Sequence, residues 1–127
     1  MKTVNKNRPI NLDLKTIKFP LPAIASILHR VSGVIIFFSI PVLLWVLSYS
    51  LKSESSFEAL KECLDGFFVT MVLWAISAAL FYHFVAGVRH LLMDLGVGES
   101  LEGGIKGAKI AFLVAAVMIL GMGIWLW

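Results

Sequence analysis

Three long apolar runs constrain this chain more than any other feature. They cover about 23–51, 67–93 and 108–127, and between them leave only short polar connections. A helix needs about 20 residues to cross the roughly 30 Å hydrocarbon core of a bilayer. The third run just reaches that length, and the first two exceed it, so they must tilt or extend past the core. None alternates as a strand would, and each is too long for one. Lipid offers no partner to a bare backbone amide, so a spanning segment of this kind closes its hydrogen bonds within itself. The expected fold is an all-α membrane protein with three transmembrane helices, forming part of a heteromeric helical bundle.

The composition agrees. Of 127 residues, 59% are apolar and 15% are charged, and the mean hydropathy is +0.90. A soluble domain carries roughly 45–50% apolar and about 25% charged residues. The loops are too short to hold a soluble catalytic domain. The net charge is +3, gathered near the N-terminus, with no nucleic-acid-binding signature, so no nucleic-acid partner is expected. Cys63 is the one cysteine, which excludes an internal disulfide and a multi-cysteine metal site. Residues 1–22 form a polar, proline-punctuated arm and lack the layout of a cleavable signal. The arm carries Lys2, Lys6, Arg8, Lys15 and Lys18, while the first loop is acidic through Glu54, Glu58, Glu62 and Asp65. The second loop, with Arg89, Lys106 and Lys109, is more basic than the first. Positive residues stay inside, which predicts a cytoplasmic N-terminus and a periplasmic C-terminus, with Trp125 and Trp127 in the outer aromatic belt. Pro22 suits the first turn of helix one, and Pro41 is expected to kink that helix.

Against this apolar background the polar residues inside the runs stand out. His83 lies within the second run, about 10 Å deeper than His90 at 1.5 Å per residue. Ionisable groups at such depth face a bundle interior, a cavity or a cofactor. A hydrogen bond to a neighbouring helix is the plain alternative. His83 and His90, seven residues apart, share a face, and Gly87 opens a gap between them. Such a gap suits a flat macrocycle such as haem b, with an imidazole on the iron and basic groups nearer the surface for the propionates. It equally suits close helix packing. Helix one begins with a second cluster. Ser26 and Arg30 share a face, with His29 beside them and Gly33 a turn beyond. Arg30 reads either as an interfacial anchor that snorkels or, with Ser26, as donors to quinone carbonyls beneath apolar walls. Both clusters lie toward the same side of the membrane. There is no deep acidic residue to suggest a transporter.

The stretches "RPINLDL" at 8–14, "SILHRVSG" at 26–33 and "HFVAGVRHLLMDLG" at 83–96 resemble the cytochrome b556 membrane-anchor subunits of bacterial succinate dehydrogenase, over nearly the whole chain. That resemblance implies a subunit without catalysis of its own, in a four-subunit inner-membrane complex. The partners would be a flavoprotein, an iron–sulfur protein and a second anchor. It implies haem b with His83 as an axial ligand and His29, Arg30 and His90 near the propionates. It also implies ubiquinone at Ser26 and Arg30. His90 is too far along the same helix to reach the other side of the iron, so the second ligand would come from the other anchor. The arm and inner loop would dock the iron–sulfur subunit. A fumarate reductase anchor and a purely structural tether are the alternatives.

Overall fold

The computed structural model describes residues 11–127, which form four helices and, among these residues, no strand. Expectations placed on Lys2, Lys6, Arg8 and the start of "RPINLDL" lie outside the described residues. The helices are α1 (Leu21–Ser50), α2 (Glu54–Leu64), α3 (Phe67–Asp94) and α4 (Leu101–Leu126). Helices α1, α3 and α4 are long and apolar enough to cross a membrane.

Each boundary has a local cause. Pro20 holds the extended backbone before α1, and Pro22 sits in the first turn, where its missing N–H costs nothing. The helix continues through Pro41 to Ser50. At the end of α3, Val97 N donates to Leu92 O and Gly96 N donates to Met93 O, both at 2.9 Å. This crossed pair is the Schellman closure, and it requires the positive φ of 85° that Gly96 supplies. Ser100 then caps α4 by accepting from Gly103 N at 3.1 Å.

Two features differ from the hydropathy pattern. The third spanning helix starts at Leu101, about two turns before the apolar run at 108. Its polar first turns are helical because Ser100 caps them and Lys106 Nζ lies 2.7 Å from Glu102 Oε1, one turn back. Hydropathy marks where a helix is apolar, not where it begins. The acidic first loop contains a helix of its own, α2. Ser53 accepts from Ser56 N, Glu54 lies in its first turn and Lys61 in its last, all matched to the helix dipole.

Few large side chains are buried. The buried apolar residues are all alanines: Ala25, Ala79, Ala86, Ala108, Ala111 and Ala115. Small residues let helices approach closely where lipid, as apolar as leucine, gives no hydrophobic reason to associate. On α4, Gly104, Ala108, Ala111 and Ala115 form one buried stripe in a helix that packs against both α3 and α1. The opposite end of that seam is pinned by Trp74, whose indole N–H donates to Ile119 O at 2.9 Å. Gly123 leaves room for the indole, since a Cβ there would stand 3.1 Å from Trp74 Nε1.

Candidate functional site

Helices α1 and α3 run antiparallel, and their register brings the two polar clusters together. Tyr82 Oη donates to Ala25 O at 2.9 Å, and Ser26 Oγ lies 3.5 Å from His90 Nε2. The His29 ring is stacked on that of His83, with centroids 4.1 Å apart and planes 11° apart. His90 leans against His29 with centroids at 5.1 Å and planes at 45°. Three imidazoles from two helices are therefore packed together, four to eleven residues from the nearer helix ends, or about 6–16 Å along the axis.

The hydrogen bonds assign the proton on His83. Its Nδ1 lies 3.0 Å from His29 O and 3.2 Å from Ser32 Oγ. The single Ser32 hydroxyl proton is already directed to His29 O at 2.8 Å. Both neighbours of Nδ1 thus present lone pairs, and a carbonyl oxygen cannot donate. Nδ1 must carry the proton and donate to both. Nε2 then holds the lone pair, and it has no hydrogen-bond partner among the described residues. A metal-ligating histidine needs this tautomer, held by an outer hydrogen bond.

Glycines set the space around these rings. A Cβ on Gly33 would come within 3.0 Å of His83 Cε1, and one on Gly87 would meet His29 Nε2 at 3.4 Å. Gly33 is therefore the tighter constraint, while Gly87 gives the His29 ring its seat. The stacking of His29 covers a face of the His83 ring and leaves its in-plane Nε2 direction untouched. A neutral imidazole with a free ring nitrogen among glycines is a donor set that fits a haem iron.

The structure joins Ser26, His29, His83, Gly87 and His90 in one region. Arg30 stands apart. It is exposed and makes no hydrogen bond or ion pair among the described residues. Two contributors escaped the sequence reading. Ser32, buried at 5% exposure, looks like an ordinary small residue in a helix; its spacing of three from His29 was the available signal. Tyr82 is adjacent to His83 and differs from its apolar neighbours only by a hydroxyl. Arg89, expected near the interface with the second loop, is instead packed between α3 and α4 at 7% exposure.

A bundle of three membrane-length helices with a histidine-lined site between the first and second defines a multi-pass membrane protein built around a helix–helix polar site. Residues 4–122 match the family described as the succinate dehydrogenase/fumarate reductase transmembrane subunit, and the chain belongs to that family. It is 38% identical over 125 residues to the succinate dehydrogenase cytochrome b556 subunit of Coxiella burnetii, covering 98% of this chain and all of that one. The subunit of the same name from Paracoccus denitrificans is 31% identical over 123 residues, covering 96% of this chain and 93% of its own length. A relative from Rickettsia felis, again so named, is 34% identical over 99 residues, 78% of this chain and 77% of that one.

Proposed function

We propose that this chain is a haem-binding membrane anchor of a succinate:quinone oxidoreductase in the bacterial inner membrane. In this reading it holds haem b jointly with a second anchor subunit and helps form the site where ubiquinone is reduced. The observation that carries the proposal is the His83 tautomer, with Nδ1 tied to the α1 backbone and Nε2 left as an in-plane donor.

His83 would be the iron ligand that this chain contributes. His29 is stacked on the His83 ring, with its Nε2 beside Gly87, so it would not serve as a second iron ligand. His90 lies seven residues further along the same helix. The second ligand therefore belongs to the partner anchor. His90, His29 and Arg30, nearer the helix ends, would meet the propionates. Haem b, when bound, supplies a one-electron carrier. Ser26 and Arg30 would donate to the quinone carbonyls, with the exposed Arg30 fork open to a ligand or partner from outside this chain. The iron–sulfur and flavoprotein subunits would dock at the N-terminal side, which the charge pattern assigns to the cytoplasm. Succinate chemistry would reside in those subunits, and this one would carry no reaction alone. The cytochrome b556 names of the relatives favour the succinate-oxidising direction over fumarate reduction, and a plain tether leaves the paired Nδ1 contacts of His83 without a purpose.

The test is the absorption spectrum of the purified complex carrying His83→Ala or His83→Leu. Loss of the bis-histidine bands is expected, and a spectrum unchanged from the wild type would remove His83 as the ligand. For the quinone, Ser26→Ala and Arg30→Leu should lower quinone reduction while succinate oxidation by an artificial dye persists. Equal loss of both activities would mark failed assembly.

A further inference from the structure

A second polar feature lies on the other side of α3. Arg89 is six residues beyond His83, which turns it about 120° away from the imidazole face. Its Nη2 donates to Gly104 O on α4 at 3.3 Å, a long bond. Nε and Nη1 are buried and have no hydrogen-bond partner. An arginine keeps its charge in any protein setting, so this residue cannot relieve its burial by losing a proton. Buried charge without a counter-charge is costly. Something outside the described residues is needed to complete the site.

The space beside Arg89 indicates what. A groove of about 370 Å³ opens between α3 and α4, walled by Val85, Val88, Leu92 and Ile110, with Gly103 and Gly104 at its loop end. No carboxylate lines it. Lys106 does, but its ammonium already pairs with Glu102. Among the described residues of the lining, Arg89 is thus the charge without a counter-charge. The backbone is drawn in tightly at the loop end, where a Cβ on Gly103 would stand 2.9 Å from Gly98 Cα. The apolar walls remain open along the helices: Val88 is 42% exposed, Leu92 45% and Ile110 62%. A ligand suited to this place joins one anionic group to hydrocarbon.

We propose that the α3–α4 groove seats an anionic phospholipid, its phosphodiester on the Arg89 guanidinium and its acyl chain along Val85, Val88, Leu92 and Ile110. Basic pockets between membrane helices near an interface hold such headgroups, and the guanidinium fork matches phosphate oxygens two at a time. Reaching Nε and Nη1 requires the Arg89 head to turn toward the groove, exchanging its long bond to Gly104 for charge-assisted ones. The site is independent of the haem proposal, since it uses the opposite face of α3.

The experiment uses the assembled complex, delipidated and returned to nanodiscs of phosphatidylglycerol and phosphatidylcholine. Lipid retained after detergent extraction is counted by native mass spectrometry. The wild type should hold phosphatidylglycerol in preference to phosphatidylcholine. Arg89→Gln should lower that retention roughly tenfold or more, the equivalent of one charge-assisted contact, with an unchanged haem spectrum. Ile110→Trp, which fills the groove from its mouth and keeps the charge, should lower it as well, and decides the matter if Arg89→Gln does not assemble. Inorganic phosphate should displace little of the lipid. Equal retention in the Ile110→Trp and wild-type complexes would overturn the proposal. So would displacement of the lipid by phosphate alone, or dissociation of a partner subunit from Arg89→Gln with lipid retention unaltered, which would mark Arg89 as the mate of a partner's carboxylate.

Discussion

On the side of α3 that meets α1, polar tips converge. Tyr82, His83 and His90 reach across to Ala25 O, His29 O, Ser32 and Ser26. On the side that meets α4, the buried residues of α4 are small, Gly104, Ala108, Ala111 and Ala115, with Tyr82 stacked on Phe112 and hydrogen bonds at the two ends from Arg89 and Trp74. The first side holds side chains in fixed orientations; the second brings backbones close. Orientation serves chemistry, because a donor atom is useful only when aimed. Close approach serves assembly, because small residues maximise packing without demanding a particular side-chain angle. A substitution on the first side should change what the protein binds, and one on the second should change whether it holds together.

The sharpest way to break that contrast is Gly33→Val. The added carbons start 3.0 Å from His83 Cε1, so the ring must leave its seat. Loss of most bound haem is expected, measured as haem per complex, with the other subunits still present. Haem content equal to wild type would show that the His83 position is not set by α1. Next in size is Ala115→Leu on the buried face of α4. Overpacking a closed seam costs about 1–3 kcal/mol, so the melting temperature should fall while the haem spectrum per intact complex stays put. A changed spectrum with unchanged stability would reverse the roles assigned to the two sides.

Ser32→Ala sharpens the comparison within the first side. Nδ1 of His83 keeps its bond to His29 O and loses the one to Ser32, a net contribution of about 1 kcal/mol. Haem should remain bound. Its reduction potential should rise, because a weaker outer hydrogen bond makes the imidazole a poorer donor to ferric iron. Redox titration of the complex checks the sign, and a fall in potential would contradict the tautomer assigned above. The smallest effect is expected from Glu102→Gln. The Glu102–Lys106 pair is solvent-exposed, with side chains 79% and 70% accessible. Its removal should change stability by no more than about 0.5 kcal/mol and leave both sides untouched. A larger loss in thermal melts would mean that a partner subunit covers this corner.

Residue spacing along α1 and α3 made much of the site legible. His83, Gly87 and His90 recur on one helical face, and Ser26 and Arg30 on another with His29 beside them; the helix register joins Ser26 and His29 to the first face and leaves Arg30 outside. Ser32 stayed hidden because its importance lies in a contact with an imidazole 51 residues away, which no local pattern encodes. The burial of Arg89 was hidden for a different reason. Beside His90 near the end of an apolar run, it has the look of an interfacial anchor, and only the approach of α4 shows that it is enclosed. The α2 helix lay in a polar loop where hydropathy is silent, although Ser53 and the Phe57, Leu60 and Leu64 stripe carry a helix signal of their own.

From the sequence alone came the three membrane-length apolar helices and the family. These depend on the length and apolarity of continuous segments, and on motifs that each lie within a single helix. Tertiary structure decided which nitrogen of His83 is free, how the imidazoles stack and where Arg89 is sealed. Those outcomes depend on the register of one helix against another. That register is set by where alanine and glycine let backbones touch, and hydropathy and periodicity within one segment carry no information about it.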